Sequence, residues 1–407
     1  MHPPVVIVGA GAAGLFAAAH LAGLGRPVIV LERGDRPARK VLAAGGARCN
    51  FTNDRSPEGM LSALPTAARR FLKPAMYELP SEALRRWFAE RGVPSVVEDR
   101  RCVFPSSGRS RDVVEAMLAA ARQAGADVRT GVACRGVRVE DGHVAAVRTD
   151  DGDLPAAAVL LACGGPAAPH LGGTDAGLGL LADLGHRLVP VRPGLTPLLA
   201  DDPLLRPLQG ITFEAVRLRL ARHAVEGPAL CAHFGLTGPA ALDMSLAVDT
   251  LPANIVMSLS ASCTADDVES CLVVPRGGHG PVRLSTALGQ WLPRRVAAQV
   301  MQSLGIAPDM TLSRLTQADR RAVVRCVTGH PIRVTGLGDW PLAMVTVGGG
   351  ALGDVEPRTM RSRKVRGLYV AGELLDVAGP TGGWNLHGAM ATGLLAARAI
   401  RADLAQS

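Results

Sequence analysis

Aromatic side chains are scarce in this sequence, in which seven Phe, four Trp and two Tyr make up 3% of 407 residues. A series of exposed rings, the usual platform for single-stranded nucleic acid, therefore has little material here. Lysine is also scarce, since only Lys40, Lys73 and Lys364 occur among 44 basic residues. The net charge of +8 is thus mostly dispersed arginine, which also pairs with the 36 acidic residues. We do not expect a nucleic-acid partner.

Long apolar runs and paired cysteines are missing as well. No run approaches the roughly 20 residues that span a bilayer, and no basic segment precedes an apolar export segment. We therefore expect no membrane span and a cytoplasmic location. The eight Cys include no C-x-x-C pair and no zinc-type Cys/His spacing, so we expect neither a metal site nor a disulfide framework. With 48% hydrophobic residues, the chain is also not disordered.

The N-terminal segment predicts a dinucleotide-binding fold. A β-branched run at residues 5–8 leads into Gly9-x-Gly11-x-x-Gly14 and then an Ala- and Leu-rich stretch, which is the order strand, turn, helix. The three glycines permit the turn, let the backbone approach a pyrophosphate and let the helix pack on the strand. The helix N-terminus then favours the anion. A second strand, at 28–31, ends at Glu32, which fits the acidic position that holds ribose hydroxyls.

The middle of the chain changes character twice. A helix is predicted over 112–126, followed by strands at 128–139, 143–147 and 156–161. From about Pro190, prolines separate short alternating segments such as 215–220, which predict antiparallel strands. Residues 264–327 have helical spacing, strands return at 343–347 and 367–371, and a helix is predicted over 385–404. Residues 190–342 therefore look like an inserted domain in two parts.

The C-terminal region contains a second strand-to-helix turn. The strand ends at Gly372-Glu373, and Gly382-Gly383-Trp384-Asn385 opens the last helix. Backbone N–H groups there would stabilise negative charge on a ring carbonyl, the charge that a reduced flavin develops, although an ordinary glycine cap is the alternative. Another G-x-G-x-x-G, at 348–353, is followed by acidic residues and Pro357 instead of an apolar helix. We expect one dinucleotide fingerprint and no dedicated nicotinamide site.

Together these segments resemble the aminoacetone oxidase-like family of FAD-binding enzymes, NAD(P)/FAD-dependent oxidoreductases, over nearly the whole chain. The resemblance rests on the following blocks of sequence: 9–14, 39–53, 104–107, 162–165 with 185–186, 235–240, 359–369, 371–376 and 382–386. It implies an α/β fold with a two-dinucleotide-binding-type, Rossmann-like FAD domain and an insert made of a small antiparallel β-barrel and a helical part. The implied boundaries are 1–189 and 343–407 for the FAD domain and 190–342 for the insert, with the barrel at 190–262 and 328–342 and the helical part at 263–327.

The resemblance also implies a set of FAD-binding residues and no metal. Glu32 would hold the adenosine ribose, Val132 would meet the adenine, Glu373 would take the ribityl chain, and Asn385 and Leu386 would face the isoalloxazine ring. The whole expected set is Gly9, Gly11, Ala12, Ala13, Gly14, Glu32, Arg33, Lys40, Gly45, Gly46, Arg48, Cys49, Asn50, Val132, Cys163, Gly164, Gly165, Gly372, Glu373, Gly383, Asn385 and Leu386.

Two positions depart from the family pattern. Ala47 stands where glycine is usual, and His387 stands where Gln commonly follows Asn-Leu. No catalytic residue is assigned. Cys49 is either a reactive thiol whose pKa is lowered by Arg48 or a small buried residue, and His387 is either an acid or base beside the flavin or a structural histidine.

The resemblance implies an enzyme. We expect a FAD-dependent oxidoreductase in which the flavin exchanges a hydride or two electrons with a small-molecule substrate bound between the FAD domain and the insert. NAD(P)H, dioxygen or another molecule stays open as the electron partner, and the substrate and the oligomeric state are also open. The alternatives are a flavin-dependent RNA-modifying enzyme, suggested by the basic charge and Cys49, and a non-enzymatic flavin redox sensor.

Overall fold

The chain forms two compact units. The computed structural model describes residues 2–273 and 282–405. One unit is Met1–Gly194 with Met344–Ser407, and the other is Leu195–Ala343. The predicted domain boundary at 190 falls within a strand, Leu188–Gly194, which pairs with Val345–Gly350 in the first unit.

The first unit contains most of the regular structure. Its elements are β1 (Val5–Val8), α1 (Ala12–Ala19), β2 (Val28–Glu32), α2 (Arg39–Ala47), β3 (Thr52–Asn53), α3 (Pro57–Ser62), α4 (Thr66–Glu78), α5 (Ser81–Ala89), β4 (Ser95–Val97), β5 (Cys102–Pro105), α6 (Ser110–Gln123), β6 (Ala126–Thr130), β7 (Cys134–Glu140), β8 (His143–Thr149), β9 (Gly152–Pro155), β10 (Ala158–Leu161), α7 (Ala176–Asp183) and β11 (Leu188–Gly194). After the second unit it resumes with β19 (Val345–Gly350), β20 (Leu368–Val370) and α13 (Trp384–Leu404).

A five-stranded parallel sheet is the centre of this unit, in the order β20-β10-β1-β2-β6. All four residues of β1 and of β10 are buried, as expected for strands covered on both faces. Helix α13 packs closely on α1, because a Cβ atom at Gly393 would lie 2.4 Å from the carbonyl oxygen of Ala13. This contact joins the middle of α13 to the first turn of α1.

Smaller antiparallel sheets surround the central one: β3-β5-β4, β7-β8-β9 and β11-β19. The single strand predicted over 128–139 is wrong, since the chain turns at Gly131, with φ 72°, and splits there into β6 and β7. The second G-x-G-x-x-G closes β19 and runs into a 3-10 turn at Leu352–Asp354 instead of a helix. This geometry agrees with the expectation that it is not a dinucleotide fingerprint.

The second unit combines one antiparallel sheet with short helices. Its elements are β12 (Leu198–Leu199), β13 (Thr212–Leu220), β14 (His223–Ala232), β15 (Gly235–Thr237), α8 (Pro239–Ser245), β16 (Ala253–Ser258), α9 (Ala265–Cys271), α10 (Leu284–Leu288), α11 (Arg294–Ser303), α12 (Gln317–Thr328), β17 (His330–Val334) and β18 (Gly336–Leu337). The sheet order is β17-β16-β13-β14-β15-β12-β18. Residues 274–281 of the expected helical part lie outside the described residues.

Helices α9 and α12 each begin with a capping box. The Thr264 and Thr316 hydroxyls accept hydrogen bonds from the backbone N–H groups of Asp267 and Asp319, whose carboxylates accept in return from the threonine N–H groups. These reciprocal bonds satisfy N–H groups that a helix start leaves without partners. Apolar residues such as Val268 and Val323 are buried behind them, so this unit has a core of its own.

Candidate functional site

The predicted binding residues gather at one edge of the parallel sheet. The carboxyl ends of parallel strands lie on the same side, and in open α/β sheets this is where ligands bind. Each of the five strands is followed there by residues of the expected set: Gly9 to Gly14 after β1, Arg33 after β2, Val132 after β6, Cys163 to Gly165 after β10, and Gly372 and Glu373 after β20. The fold therefore brings together segments that are distant in sequence.

The turn between β1 and α1 is tightly packed on one side and open on the other. Gly9 has φ 105°, and a Cβ atom there would lie 2.5 Å from the carbonyl oxygen of Ala162. A Cβ atom at Gly14 would lie 1.9 Å from the carbonyl oxygen of Gly9, whereas one at Gly11 would meet no atom within 4 Å. No side chain of the described residues caps α1. Its first N–H groups therefore have no side-chain partner among the described residues, as at helix starts that bind an anion.

Glu32 is held at the end of β2 by two backbone donors. Its Oε2 accepts a hydrogen bond from the N–H of Ala10 (3.1 Å), and its Oε1 accepts one from the N–H of Gly34 (2.8 Å). The N–H of Val132 donates to the carbonyl oxygen of Glu32 (2.9 Å), which places Val132 beside it. Arg33 Nη2 donates a hydrogen bond to the carbonyl oxygen of Gly172 (3.3 Å). An oriented carboxylate beside an open turn is suited to accept from sugar hydroxyls.

Lys40 and Glu373 form the main ion pair at this edge. Lys40 Nζ lies 2.6 Å from Glu373 Oε2, and the two side chains are 27% and 23% exposed. Glu373 Oε1 accepts a hydrogen bond from the N–H of Thr346 (2.9 Å). The two partners fix both carboxylate oxygens, so the negative charge of Glu373 is oriented and partly neutralised.

The backbone at 44–46 interrupts helix α2, and left-handed residues continue to the end of the helix and beyond it. Gly45, Gly46, Ala47 and Cys49 have φ between 58° and 66°, in the left-handed region. Ala47 adopts this conformation despite its methyl group, which costs about 1 kcal/mol relative to glycine. No heavy atom lies within 4 Å of a Cβ atom placed at Gly46, so a ligand has room against this backbone. Asn50 ends the segment and accepts a hydrogen bond from the N–H of Val103 (3.2 Å).

The hypothesis that Arg48 activates Cys49 is wrong. Arg48 pairs with Glu98 through two hydrogen bonds, one of 3.1 Å between Nη1 and Oε2, and its guanidinium lies 4.3 Å from the centre of the Phe104 ring. Cys49 is fully buried, and burial raises the pKa of its thiol to about 12. Cys49 is therefore the small buried residue of the alternative interpretation.

The start of α13 lies against β3. Gly382 and Gly383 have φ 107° and 100°, and a Cβ atom at Gly383 would lie 2.4 Å from the carbonyl of Thr52. The Asn385 side chain turns back to the preceding loop, donating to the carbonyl oxygen of Gly379 and accepting from its N–H, both at 2.8 Å. Asn385 therefore shapes the loop through its side chain and leaves its backbone to the helix start.

His387 is structural. It is fully buried, its Nε2 lies 2.7 Å from the carbonyl oxygen of Leu79 and its Nδ1 lies 2.6 Å from Thr52 Oγ1. The carbonyl can only accept, so Nε2 carries the proton and Nδ1 accepts from the Thr52 hydroxyl. Burial lowers the pKa of His387 to about 4, although the bond to Leu79 opposes the shift. The neutral ring joins α13, β3 and the end of α4, which favours the structural interpretation of His387.

A small crevice lies between α4, the segment that follows β20 and the start of α13. Its lining includes Gly372, Glu373, Asn385, Leu72, Met76 and Trp384. Three of these residues belong to the expected set and the other three give it an apolar wall. The crevice therefore combines a few polar groups with an apolar surface.

Sequence reasoning missed two threonines that support the site. Thr346 donates its N–H to Glu373, and its side chain is so close to Gly165 that a Cβ atom there would lie 2.2 Å from Oγ1. Thr392, in the buried middle of α13, accepts a hydrogen bond from the N–H of Gly372 (3.0 Å). A lone threonine in an otherwise apolar helix face was the available signal for Thr392, whereas nothing in the sequence distinguishes Thr346.

No helix within 2–273 and 282–405 is long and apolar enough to cross a bilayer. In the same described ranges, no group of three or more His, Cys, Asp or Glu side chains is arranged to hold a metal ion.

Comparison with known proteins gives matches over most of the chain. The ribosomal RNA dihydrouridine synthase of Escherichia coli (strain K12) is 29% identical over 391 residues, which cover 94% of this chain and 94% of that protein. The 3-dehydro-bile acid delta(4,6)-reductase of Clostridium scindens is 28% identical over 406 residues, covering 97% of this chain and 98% of that protein.

Solved structures show the same fold. The 3-ketosteroid-delta4-(5alpha)-dehydrogenase of Rhodococcus jostii RHA1 superimposes with a TM-score of 0.53 at 16% identity, covering 98% of this chain and 97% of that one. The family model described as the HI0933-like protein Rossmann domain matches residues 3–399. The predicted fold class and FAD cofactor are confirmed. The chain belongs to the HI0933-like protein Rossmann domain family and is a FAD-dependent oxidoreductase.

Proposed function

We propose that this protein binds FAD along the carboxyl edge of its parallel sheet and uses it to reduce a small organic substrate. The observation that carries the proposal is the open, uncapped start of α1, which lies among the ends of five strands. In this assignment Gly11 to Gly14 hold the pyrophosphate, Glu32 the ribose and Val132 the adenine. The segment 45–50 and the start of α13 flank the isoalloxazine ring.

The flavin supplies hydride or two-electron transfer, and the chain supplies binding and electrostatics. A carboxylate near the cofactor would oppose the negative charge that the ring gains on reduction. Lys40 offsets the charge of Glu373 at 2.6 Å, and the N-terminal dipole of α13 favours negative charge nearby. The arrangement therefore makes the oxidised cofactor a better electron acceptor.

The substrate class we favour is a carbon–carbon double bond conjugated to a carbonyl. The names of the two relatives share this chemistry: a dihydrouridine synthase saturates the uracil double bond next to a carbonyl, and a delta(4,6)-reductase acts on ring double bonds of a 3-dehydro bile acid. A hydride adds to the carbon remote from the carbonyl, and the carbonyl takes up the negative charge. The test is anaerobic mixing of the reduced holoenzyme with cyclohexenone, a steroid dienone and uridine.

An RNA substrate is the second candidate. It is favoured by the dihydrouridine synthases of Escherichia coli and Haemophilus influenzae among the relatives and by the net charge of +8. The discriminating assay incubates the NAD(P)H-reduced protein with ribosomal RNA and measures dihydrouridine by nucleoside mass spectrometry. Dihydrouridine in RNA without turnover of the free enones supports the RNA substrate. Turnover of the enones with no dihydrouridine in RNA supports the small-molecule substrate. If neither the enones nor RNA reoxidises the reduced FAD, both substrate proposals are overturned.

A further inference from the structure

Two arginines that follow β2 hold a loop that follows β10. Residues 166–174 form this loop, which we call the β10 loop. Arg39 Nη2 donates a hydrogen bond to the carbonyl oxygen of His170 (2.8 Å), and Arg33 Nη2 donates one to that of Gly172 (3.3 Å). The partners are 131 and 139 residues apart in the chain. Tertiary structure alone therefore brings the two segments together.

The two bonds span the end of β1. In the parallel sheet β1 lies between β10 and β2, and the carboxyl ends of the three strands are on the same side. A connection from the residues after β2 to the β10 loop therefore passes the place where the Gly9–Gly14 turn begins. Arg39 is tied to this turn by its neighbour, because the N–H of Ala38 donates to the carbonyl oxygen of Ala10 (2.9 Å). The N–H of Ala10 in turn donates to Glu32 Oε2 (3.1 Å), so the connection lies beside both groups assigned to FAD.

The β10 loop has a fixed base and an accessible tip. At the base, the N–H of Thr174 donates to the carbonyl oxygen of Gly165 (3.1 Å), and the N–H of Ala167 donates to Thr346 Oγ1 (3.3 Å). The tip, at 169–172, is largely exposed and carries the two carbonyl oxygens that the arginines bind. The arginine side chains also reach solvent, and that of Arg39 is 39% exposed. The tip can therefore open when these two bonds break, while the base stays in place.

We propose that Arg33 and Arg39 hold the β10 loop as a strap across the adenosine and pyrophosphate part of FAD and so set how slowly the cofactor leaves. The inference rests on the proposed function, in which the Gly9–Gly14 turn and Glu32 bind that part of FAD. Release of FAD then requires the tip to move away, which breaks both arginine bonds. A single such bond corresponds to a factor of roughly three to ten in rate. The two arginines are positioning residues, because they act on the cofactor through the loop.

The first measurement is the rate of FAD release from the purified holoprotein. The protein is loaded with isotopically labelled FAD and mixed with a large excess of unlabelled FAD, and the label that stays bound is followed over time. We expect release to be about three- to tenfold faster in Arg39→Gln and faster again in the double variant Arg33→Gln/Arg39→Gln. Arg36→Gln is the matched control and should keep the wild-type rate. Arg36 lies in the same turn, is 79% exposed and pairs with Asp35 (4.0 Å).

The second measurement tests the loop itself, by hydrogen exchange and mass spectrometry of the peptide that contains 166–174. With FAD removed, exchange in this peptide should be faster in Arg39→Gln than in the wild type and unchanged in Arg36→Gln. This readout separates the strap from a direct attraction between the Arg39 charge and the pyrophosphate. Faster FAD release without faster exchange would mean direct attraction and would overturn the strap.

The failure of the strap and the failure of the proposed function give different results. Circular dichroism establishes that each variant is folded. A wild type that holds no FAD overturns the proposed function and the strap together. A wild type that holds FAD, with unchanged release from folded Arg39→Gln and from the double variant, overturns the strap alone.

Discussion

Acid should destabilise the protein through one buried histidine. His387 is neutral in the folded chain, with Nε2 donating to Leu79 and Nδ1 accepting from Thr52. Burial lowers its pKa from 6.5 to about 4. The unfolded chain therefore takes up a proton near pH 6.5 that the folded chain refuses until about pH 4, and acid favours unfolding between these values. The difference of about 2.5 pH units corresponds to about 3 kcal/mol.

The assay compares urea unfolding of the wild type and a His387→Gln variant from pH 7 to pH 4. Glutamine has a donor and an acceptor but does not titrate. The free energy of unfolding of the wild type is expected to fall by about 3 kcal/mol more than that of the variant. A second variant, Thr52→Val, removes the hydroxyl that donates to Nδ1 and should destabilise the protein at pH 7 by roughly 1–3 kcal/mol. A wild type and a Gln variant with parallel pH profiles would refute the assigned tautomer and its buried, neutral state.

Three further predictions concern the FAD edge and the second unit. Gly11→Ala should change the free energy of unfolding by no more than about 0.5 kcal/mol, because its methyl group meets no protein atom, but it should weaken FAD binding at least about tenfold. Gly14→Ala should also destabilise the fold, so equal free energies of unfolding of the two variants in urea would contradict this prediction. Lys40→Met should lower the flavin reduction potential by roughly 20–40 mV in a spectroelectrochemical titration, with exposed Lys73→Met as the unchanged control. Burial disfavours the charged form of His330, but its bond to Asp202 raises its pKa to about 9, so its stabilising contribution is complete below pH 6.5 and lost as pH rises through 9. Urea unfolding of wild type and Asp202→Asn should therefore converge at alkaline pH, and a constant gap rules this linkage out.

The central fold could be predicted because its signals are local. Val5–Val8, the three glycines after it and Glu32 form one continuous pattern, and the structure places them as β1, the turn to α1 and the end of β2. The last helix was equally clear from its glycines and its apolar length. The strand over 128–139 was wrong because Gly131 breaks a β-rich run at a single residue, which alternation alone does not reveal.

Side-chain partners could not be predicted in the same way. Arg48 is next to Cys49 in sequence, yet it pairs with Glu98, 50 residues away, because the left-handed backbone at Cys49 separates the two side chains. His387 meets Thr52 and Leu79 across 335 and 308 residues. The same holds for Asp202 and His330, which pair across 128 residues without a local pattern that marks them. Such partners depend on tertiary packing, which a single sequence does not encode in readable spacing.

The most direct test of the account is the absorbance spectrum of the purified protein, with and without added FAD, for the wild type and Gly11→Ala. We predict a flavin spectrum for the wild type that NADH or NADPH bleaches without oxygen and that an enone restores, and a Gly11→Ala protein that is folded but has lost most of its flavin. A wild type that stays colourless after FAD is added would contradict the central claim. A Gly11→Ala protein that retains full flavin would place the pyrophosphate elsewhere.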